Sequence, residues 1–172
     1  MTVKSITHPK ITVLGVGNIL LKDEGFGVGV VNYIIEKNLL PEEVNIIDGG
    51  TGGMRLIPII MNTDCLIVID AVKGNGTPGD IYRFTIKDIP LKIRQKTSLH
   101  EISLQEVFSL LNLLEGKNPE TIIIGVEPKE TSFGMGFSQE VESVIPAVAS
   151  KVNEEVEGFL KRQNITIYPP KS

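Results

Sequence analysis

The sequence is poor in cysteine, lacks long apolar runs and carries no excess of basic residues. Its single cysteine, Cys65, cannot form an internal disulfide, which suits a reducing compartment. Apolar runs such as residues 65–69 have the length of a strand, whereas a membrane helix needs about 20 residues. The amino-terminal residues contain no apolar segment of the kind found in secretory signals. We therefore expect a cytoplasmic protein without a membrane-spanning helix.

The charge balance argues against a nucleic-acid partner. The 172 residues include 17 Lys and Arg against 21 Asp and Glu, a net charge of −4, whereas nucleic-acid-binding domains concentrate a basic excess on one face. Hydrophobic residues make up 41% of the chain, which is enough for a substantial core. Because a domain typically holds about 150 residues, residues 1–172 are expected to form a single domain. A monomer is the default expectation.

The apolar pattern alternates between short β-rich runs and segments of helical periodicity. The predicted strands are residues 11–14, 44–48, 65–69, 81–86 and 121–126, and the predicted helices are residues 24–40, 54–61, a segment beginning at 98, and 138–161. Pro146 either kinks the last helix or lies in the first turn of its second half. The segment before the fourth strand is too short for a parallel crossover, so that strand is predicted to be antiparallel. The pattern indicates an α/β fold: a twisted, mostly parallel five-stranded sheet with one antiparallel edge strand and helices on both faces.

Ligands of open α/β sheets bind beyond the carboxyl ends of the strands, so the residues that follow each strand are candidates for chemistry. Residues 15–17 (GVG) resemble part of a dinucleotide-binding fingerprint, and Asp48 ends the second strand where a ribose-binding acid would stand. However, Leu20 replaces the third glycine of that motif. Asp23 and Glu24 also place negative charge where a pyrophosphate would bind. Nucleotide binding is therefore disfavoured.

Three side chains with the chemistry of a metal site map to this same edge of the predicted sheet. Glu24 opens the first helix, Asp70 ends the third strand, and His100 lies at the start of a later helix. Two carboxylates and one imidazole suit a first-row divalent metal with open positions, and a helix start disfavours imidazolium. Each residue also has an ordinary structural explanation, as a helix-start acid, a turn-forming aspartate or a structural histidine. Spacing alone leaves both interpretations open.

Other hydrolytic chemistries are excluded more firmly. The pair His100 and Glu101 does not extend to the H-E-x-x-H motif of zinc proteases, because Leu104 stands at its next expected position. The G-x-S-x-G motif of serine hydrolases is absent. Cys65 heads a buried strand, where a thiol usually serves as a small inert apolar group, so cysteine catalysis is not expected.

Five short segments occur in a characteristic order and spacing between residues 15 and 128, followed by a loop and the long predicted carboxy-terminal helix. They are residues 15–27 (GVGNILLKDEGFG), 48–54 (DGGTGGM), 69–71 (IDA), 98–100 (SLH) and 125–128 (GVEP). Together they resemble the [NiFe]-hydrogenase maturation endopeptidases. The resemblance implies an enzyme that removes a short carboxy-terminal extension from the precursor of the hydrogenase large subunit, after nickel has been inserted. It further implies that nickel in the precursor is the recognition signal and that Glu24, Asp70 and His100 contact it.

Two segments are expected to form the groove for the substrate tail: residues 48–53 through backbone N–H donors, and residues 133–137 through apolar side chains. With only three protein ligands, nickel is expected to be carried by the substrate and weakly bound or absent in the free protein. The residues expected to contact the substrate tail are Asn18, Asp48, Gly49, Gly50 and Thr51. Residues 133–137 (FGMGF) place apolar side chains on a loop, as in a docking surface. For residues 48–53 the alternative is a plain turn, and for residues 133–137 it is a loop folded onto the core.

The attacking group and two alternative functions stay open at this point. Either Asp70 or Glu24 acts as a general base, or a metal-polarised water attacks the scissile amide. One alternative function is a non-catalytic module that binds a nucleotide or small molecule in the same crevice. The other is a chaperone that holds the precursor without cutting it.

Overall fold

The computed structural model describes residues 9–85 and 118–163. The strands are β1 (Ile11–Val16), β2 (Asn45–Gly50), β3 (Cys65–Ala71), β4 (Ile81–Thr85) and β5 (Glu120–Val126). The α-helices are α1 (Phe26–Lys37), α2 (Ile57–Met61), α3 (Gln139–Glu142) and α4 (Ile145–Arg162), and 3₁₀ helices cover Lys22–Gly25 and Gly53–Leu56. The predicted helix that begins at residue 98, and with it His100, lies outside the described residues.

The five strands form one sheet in the order β2-β1-β3-β5-β4. Parallel pairing joins β1 to β2 and β3, and β3 to β5. At the edge, β4 pairs antiparallel with β5. The predicted fold class, a mostly parallel five-stranded sheet with one antiparallel edge strand, is therefore confirmed. Since β2 and β3 lie on opposite sides of β1, the strand order reverses there, and a crevice is expected at the carboxyl ends of β1 and β3.

Alternate residues of the central strands face two separate cores. Val13 and Ile67 lie in the core that packs against α1 and α4. Their neighbours Leu14 and Val68 point to the opposite face, into the core under α2. Because both faces of a parallel sheet are covered, its strands read as continuous apolar runs rather than as alternating patterns. Helices on both faces are confirmed.

Two helix boundaries differ from the prediction. The first α-helix begins at Phe26 rather than at Glu24, because residues 22–25 first form a tighter 3₁₀ turn. The predicted last helix is two helices, α3 and α4, separated by Ser143 and Val144. Pro146 lies in the first turn of α4, where its missing N–H leaves no helical hydrogen bond unmade. The second of the two predicted roles for Pro146 is thus correct.

Cys65 lies in the buried position that the sequence analysis predicts. Cys65 is completely buried at the start of β3, and this burial raises the pKa of its thiol to about 12. A thiol with so little thiolate at neutral pH is a poor nucleophile.

None of the helices in residues 9–85 and 118–163 combines the length and apolar character needed to cross a membrane.

Candidate active site at the carboxyl edge of the sheet

The turn between β1 and α1, together with the first residues of α1, packs on the carboxyl ends of β1 and β3. A Cβ atom at Gly27 would lie 2.1 Å from the carbonyl oxygen of Ile69, and one at Gly17 would lie 1.8 Å from the carbonyl oxygen of Glu24. Real Cβ atoms essentially never make such short contacts, so these approaches require glycine. Asp70 follows Ile69, and Glu24 precedes Gly27 by less than one helical turn. The backbone therefore brings the segments that carry Glu24 and Asp70 together at the point where the strand order reverses.

The two predicted carboxylates are neither fully buried nor fully exposed. Glu24 is half-buried in the 3₁₀ helix and Asp70 is half-buried near the end of β3. One carboxylate oxygen of Asp70, Oδ1, accepts a hydrogen bond of 2.8 Å from the backbone N–H of Ala71. Within residues 9–85 and 118–163, no three His, Cys, Asp or Glu side chains are grouped to hold a metal. The predicted trio also needs His100, which lies outside these ranges, so the three-residue site stays a prediction.

The turn after β2 is stabilised by its own hydrogen bonds. Asp48 Oδ1 accepts a bond of 3.0 Å from the backbone N–H of Gly50, and the N–H of Gly52 donates to the carbonyl of Gly49 at 2.8 Å. The N–H of Gly17 donates to the carbonyl of Gly50 at 2.9 Å, which joins this turn to the end of β1. The backbone donors of Gly50 and Gly52 thus already have partners within the protein.

Asn18, Asp48 and Thr51 also lie at the carboxyl edge of the sheet, whereas Gly49 is buried. Asn18 Oδ1 accepts a hydrogen bond of 2.9 Å from the N–H of Leu20, and the Asn18 carbonyl accepts one of 3.1 Å from the N–H of Leu21. Asn18 therefore shapes the turn that leads into the 3₁₀ helix. The side chains of Asp48 and Thr51 are exposed at this edge.

Asp23 is the residue whose role the sequence analysis missed. Its side chain is completely buried. Oδ2 accepts hydrogen bonds from the N–H groups of Lys129 and Glu130, at 2.9 and 2.8 Å, and from the hydroxyl of Ser138 at 2.8 Å, while Oδ1 accepts from the N–H of Ser138 at 2.7 Å. Burial acts to raise the pKa of Asp23, but these hydrogen bonds together lower the pKa below its ordinary value. The only signal in the sequence was an aspartate next to a candidate ligand, because its partners follow β5, more than a hundred residues later.

A second buried carboxylate, Glu127, shapes the loop between β3 and β4. Its Oε2 accepts hydrogen bonds from the N–H groups of Gly74 and Gly76, at 2.7 and 3.2 Å, and from the hydroxyl of Tyr82 at 2.7 Å. Burial and this interaction with Glu127 raise the pKa of Tyr82 to about 12. The loop that follows Asp70 is thereby fixed to the end of β5.

A cavity of ≈ 410 Å³ lies at the opposite edge of the sheet, between the start of β1 and the end of α2. Its lining includes Lys10, Thr12, Asn45, Asn62 and Thr63. None of the predicted site residues within the described ranges contributes to it. The predicted site residues Glu24 and Asp70 thus lie apart from this cavity.

Comparisons with known proteins identify the family. The family model described as HycI, hydrogenase maturation protease, matches residues 28–155. The chain is 36% identical over 163 residues to the hydrogenase 2 maturation protease of Escherichia coli (strain K12), which covers 93% of this chain and 96% of that protein. It is 36% identical over 140 residues to the hydrogenase expression/formation protein HoxM of Azotobacter vinelandii, with coverage of 80% and 68%.

The solved structures give the same result. The chain superposes on the hydrogenase maturating endopeptidase HybD from E. coli with a TM-score of 0.77 and 32% sequence identity, covering 87% of this chain and 93% of that chain. The resemblance drawn from five short segments is thereby confirmed. These relatives support an enzyme rather than a non-catalytic binding module. The chain belongs to the hydrogenase maturation protease family, and it is an endopeptidase.

Proposed function

We propose that this endopeptidase removes the carboxy-terminal extension of a [NiFe]-hydrogenase large-subunit precursor after nickel insertion. In this proposal, nickel carried by the precursor is recognised by Glu24, Asp70 and His100. The observation that supports it best is the close packing of Gly27 on Ile69, which keeps the turn of Glu24 beside the strand end of Asp70. The names of the relatives, which include hydrogenase maturation proteases, support the same class of client.

The donor set explains why the ion arrives with its substrate. Two carboxylates and one imidazole are suitable ligands for a borderline first-row metal. Three protein donors leave coordination positions for ligands that the precursor itself provides. The enzyme alone then holds nickel weakly or not at all, and the complete coordination sphere forms only with a nickel-loaded precursor.

The substrate tail in this proposal lies across the carboxyl ends of the strands. Asn18 and the turn of residues 48–51 border this path. A carboxylate beside the scissile amide takes a proton from an attacking water, in the manner of an aspartyl-type endopeptidase, and Asp70 is the first candidate. The N–H of Ala71 restrains one oxygen of the Asp70 carboxylate and so limits its rotation. Glu24 as the base, or a nickel-polarised water, is the competing route.

A cleavage assay with nickel-free and nickel-loaded precursor tests this function. Removal of the tail only from the loaded precursor is the expected result, measured by electrophoretic mobility and intact mass. Cleavage of both forms would show that nickel is not the signal. If neither form is cleaved, the large-subunit tail is not the substrate. Stable capture of the precursor without cleavage would identify a chaperone.

The chain offers a matched pair of variants for the role of His100. His100→Ala is expected to weaken capture of the nickel-loaded precursor in a pull-down and to leave capture of the nickel-free precursor unchanged. His8 is the other histidine of the sequence, so His8→Ala is the control and should behave as wild type. Equal loss of capture with and without nickel would contradict a role in recognising the ion.

We also propose that the enzyme acts in the cytoplasm as a monomer, without a membrane or nucleic-acid partner. The single cysteine, buried in β3, and the net charge of −4 support this setting. Sedimentation at the concentrations of the cleavage assay tests the monomer, and a dimer at those concentrations would contradict it.

A further inference from the structure

Two loops at the carboxyl edge expose large apolar side chains. Ile19 and Leu20, between β1 and the 3₁₀ helix, are 49% and 47% exposed, and Phe133 and Met135, in the loop after β5, are 81% and 75% exposed. We refer to these four residues as the edge patch. Contiguous exposed apolar surface commonly marks an interaction site on a soluble protein.

Backbone hydrogen bonds join the two halves of the edge patch. The N–H of Gly134 donates to the carbonyl of Leu20 at 2.8 Å, and the N–H of Lys22 donates to the carbonyl of Gly134 at 2.9 Å. Gly134 has a φ of +152°, a backbone conformation that residues with a side chain rarely adopt, so glycine permits this pairing. The two loops therefore run side by side and present one surface.

The loop after β5 is held at both ends. At its start, Asp23 accepts hydrogen bonds from the N–H groups of Lys129 and Glu130. At its end, Phe137 packs edge-on against Phe26, with ring centroids 6.5 Å apart and an interplanar angle of 79°. The edge-patch residues of this loop lie between these fixed points. A surface that is already ordered loses little conformational entropy when a partner binds.

Among the residues that the structure describes, the charged side chains on the two loops of the edge patch are paired with one another. Lys22 forms an ion pair with Glu130, and Lys129 forms one with Glu140. Because these four charges compensate each other, they give the surface little preference for a charged partner. The chemistry of the edge patch fits an apolar, uncharged partner.

We propose that the edge patch binds an apolar, uncharged segment of the precursor polypeptide, adjacent to the segment that is cut. This inference rests on the proposed function. The patch adjoins the candidate active site, because Leu20 lies two residues before the 3₁₀ helix Lys22–Gly25 that carries Glu24. Contacts so placed hold the precursor equally in the ground state and the transition state. They therefore lower KM for the precursor and leave kcat unchanged.

Cleavage kinetics with the double variant Phe133→Ala/Met135→Ala test this surface. KM for the nickel-loaded precursor is expected to rise about tenfold or more, with kcat unchanged. The matched control is Ile35→Ala/Met61→Ala, which removes two side chains that are 53% and 51% exposed away from the site. A KM within about twofold of wild type, or an equal rise in the control, would overturn the proposal.

A crosslinking assay tests the surface without requiring cleavage. The photoreactive residue p-benzoylphenylalanine is introduced at position 133 and, as the control, at position 35. Crosslinking of the precursor from position 133 alone is expected. If wild type cleaves the precursor but position 133 forms no crosslink and KM is unchanged, the edge-patch inference fails while the proposed function stands. If position 133 crosslinks a precursor that wild type does not cut, the proposed function fails while the edge-patch inference stands. If there is neither cleavage nor a crosslink, both the proposed function and the edge-patch inference are overturned.

Discussion

The carboxylate of Asp23 accepts two hydrogen bonds from Ser138, one from its backbone N–H at 2.7 Å and one from its hydroxyl at 2.8 Å. The two residues are 115 positions apart in the chain. Asp23 lies next to Glu24, and Ser138 ends the loop that carries half of the edge patch. One buried carboxylate therefore connects the candidate catalytic turn to the candidate docking loop.

Asp23→Asn is expected to destabilise the protein by about 3 kcal/mol, since hydrogen bonds to charged groups contribute more than neutral ones. In the variant, the asparagine amide replaces one acceptor oxygen with an NH₂ group, which faces N–H and O–H donors and cannot accept their hydrogen bonds. Urea unfolding measures the change. Asp48→Asn is the control, because Asp48 is exposed and its Oδ1 acceptor is retained by asparagine. Equal stability of the two variants would contradict this role of Asp23.

The same carboxylate gives a dependence on acidic pH. Because the pKa of Asp23 is lowered in the folded state, its ionised form stabilises the protein above the ordinary aspartate pKa of about 4. That contribution is lost as pH falls through the folded-state pKa. The stability difference between wild type and Asp23→Asn should therefore shrink in unfolding experiments below about pH 4. A constant difference across the acidic range would show that the charge is not responsible.

Gly27→Ala is expected to destabilise the protein by about 3 kcal/mol, the upper range of overpacking in a tight core, and to reduce precursor cleavage. A Cβ at position 27 meets backbone atoms of Ile69 and Val16, so the turn of Glu24 must move away from β3. Gly158→Ala in α4 is the matched control, because its Cβ lies 3.6 Å from the flexible end of Arg162. The control should gain up to about 1 kcal/mol from helix propensity. Full activity and stability of Gly27→Ala would contradict the close-packing argument.

Asp70→Asn is expected to abolish precursor cleavage and to leave the folded structure intact. The amide keeps the size and the Oδ1 acceptor of the side chain but cannot take a proton from water at neutral pH. Cleavage rate and thermal unfolding are measured on the same preparation. The control is Asp64→Asn. Asp64 lies immediately before the first residue of β3, at the opposite end from Asp70, and this variant should cleave the precursor normally. Retained cleavage by Asp70→Asn would assign the base to another group.

Tyr82→Phe is expected to cost about 1 kcal/mol at neutral pH, the usual value of one hydrogen bond, because Glu127 loses a donor. The pKa of Tyr82 is raised to about 12 in the folded protein. Its stabilising effect is therefore present below the ordinary tyrosine pKa of about 10 and is lost as pH rises towards the folded-state value. The difference in free energy of unfolding between wild type and variant is measured from pH 8 to 12. The pH series of the variant is the control, because it reports the pH dependence that does not come from Tyr82. A difference that grows with pH would contradict the assignment.

Most of the fold was predictable because its core strands are buried on both faces. Residues 65–69 form an uninterrupted apolar run that predicts a strand, and the observed strand is longer by two residues, ending at Ala71. The antiparallel edge strand followed from the short segment between residues 71 and 81, which leaves no room for a crossover helix. The boundaries around Glu24 and Val144 were not predictable, since a 3₁₀ turn and a break between two helices carry the same apolar periodicity as one helix.

The sequence by itself determined the α/β fold class, the family and the candidate carboxylates Glu24 and Asp70. Local patterns suffice for these, because periodicity and short motifs are read within one segment. Only the tertiary structure decided why Gly27 is a glycine, what Asp23 bonds to, and that Phe137 joins the core while Phe133 stays exposed. Those properties depend on contacts between segments far apart in the chain, and such contacts exist only once the sheet has brought the segments together.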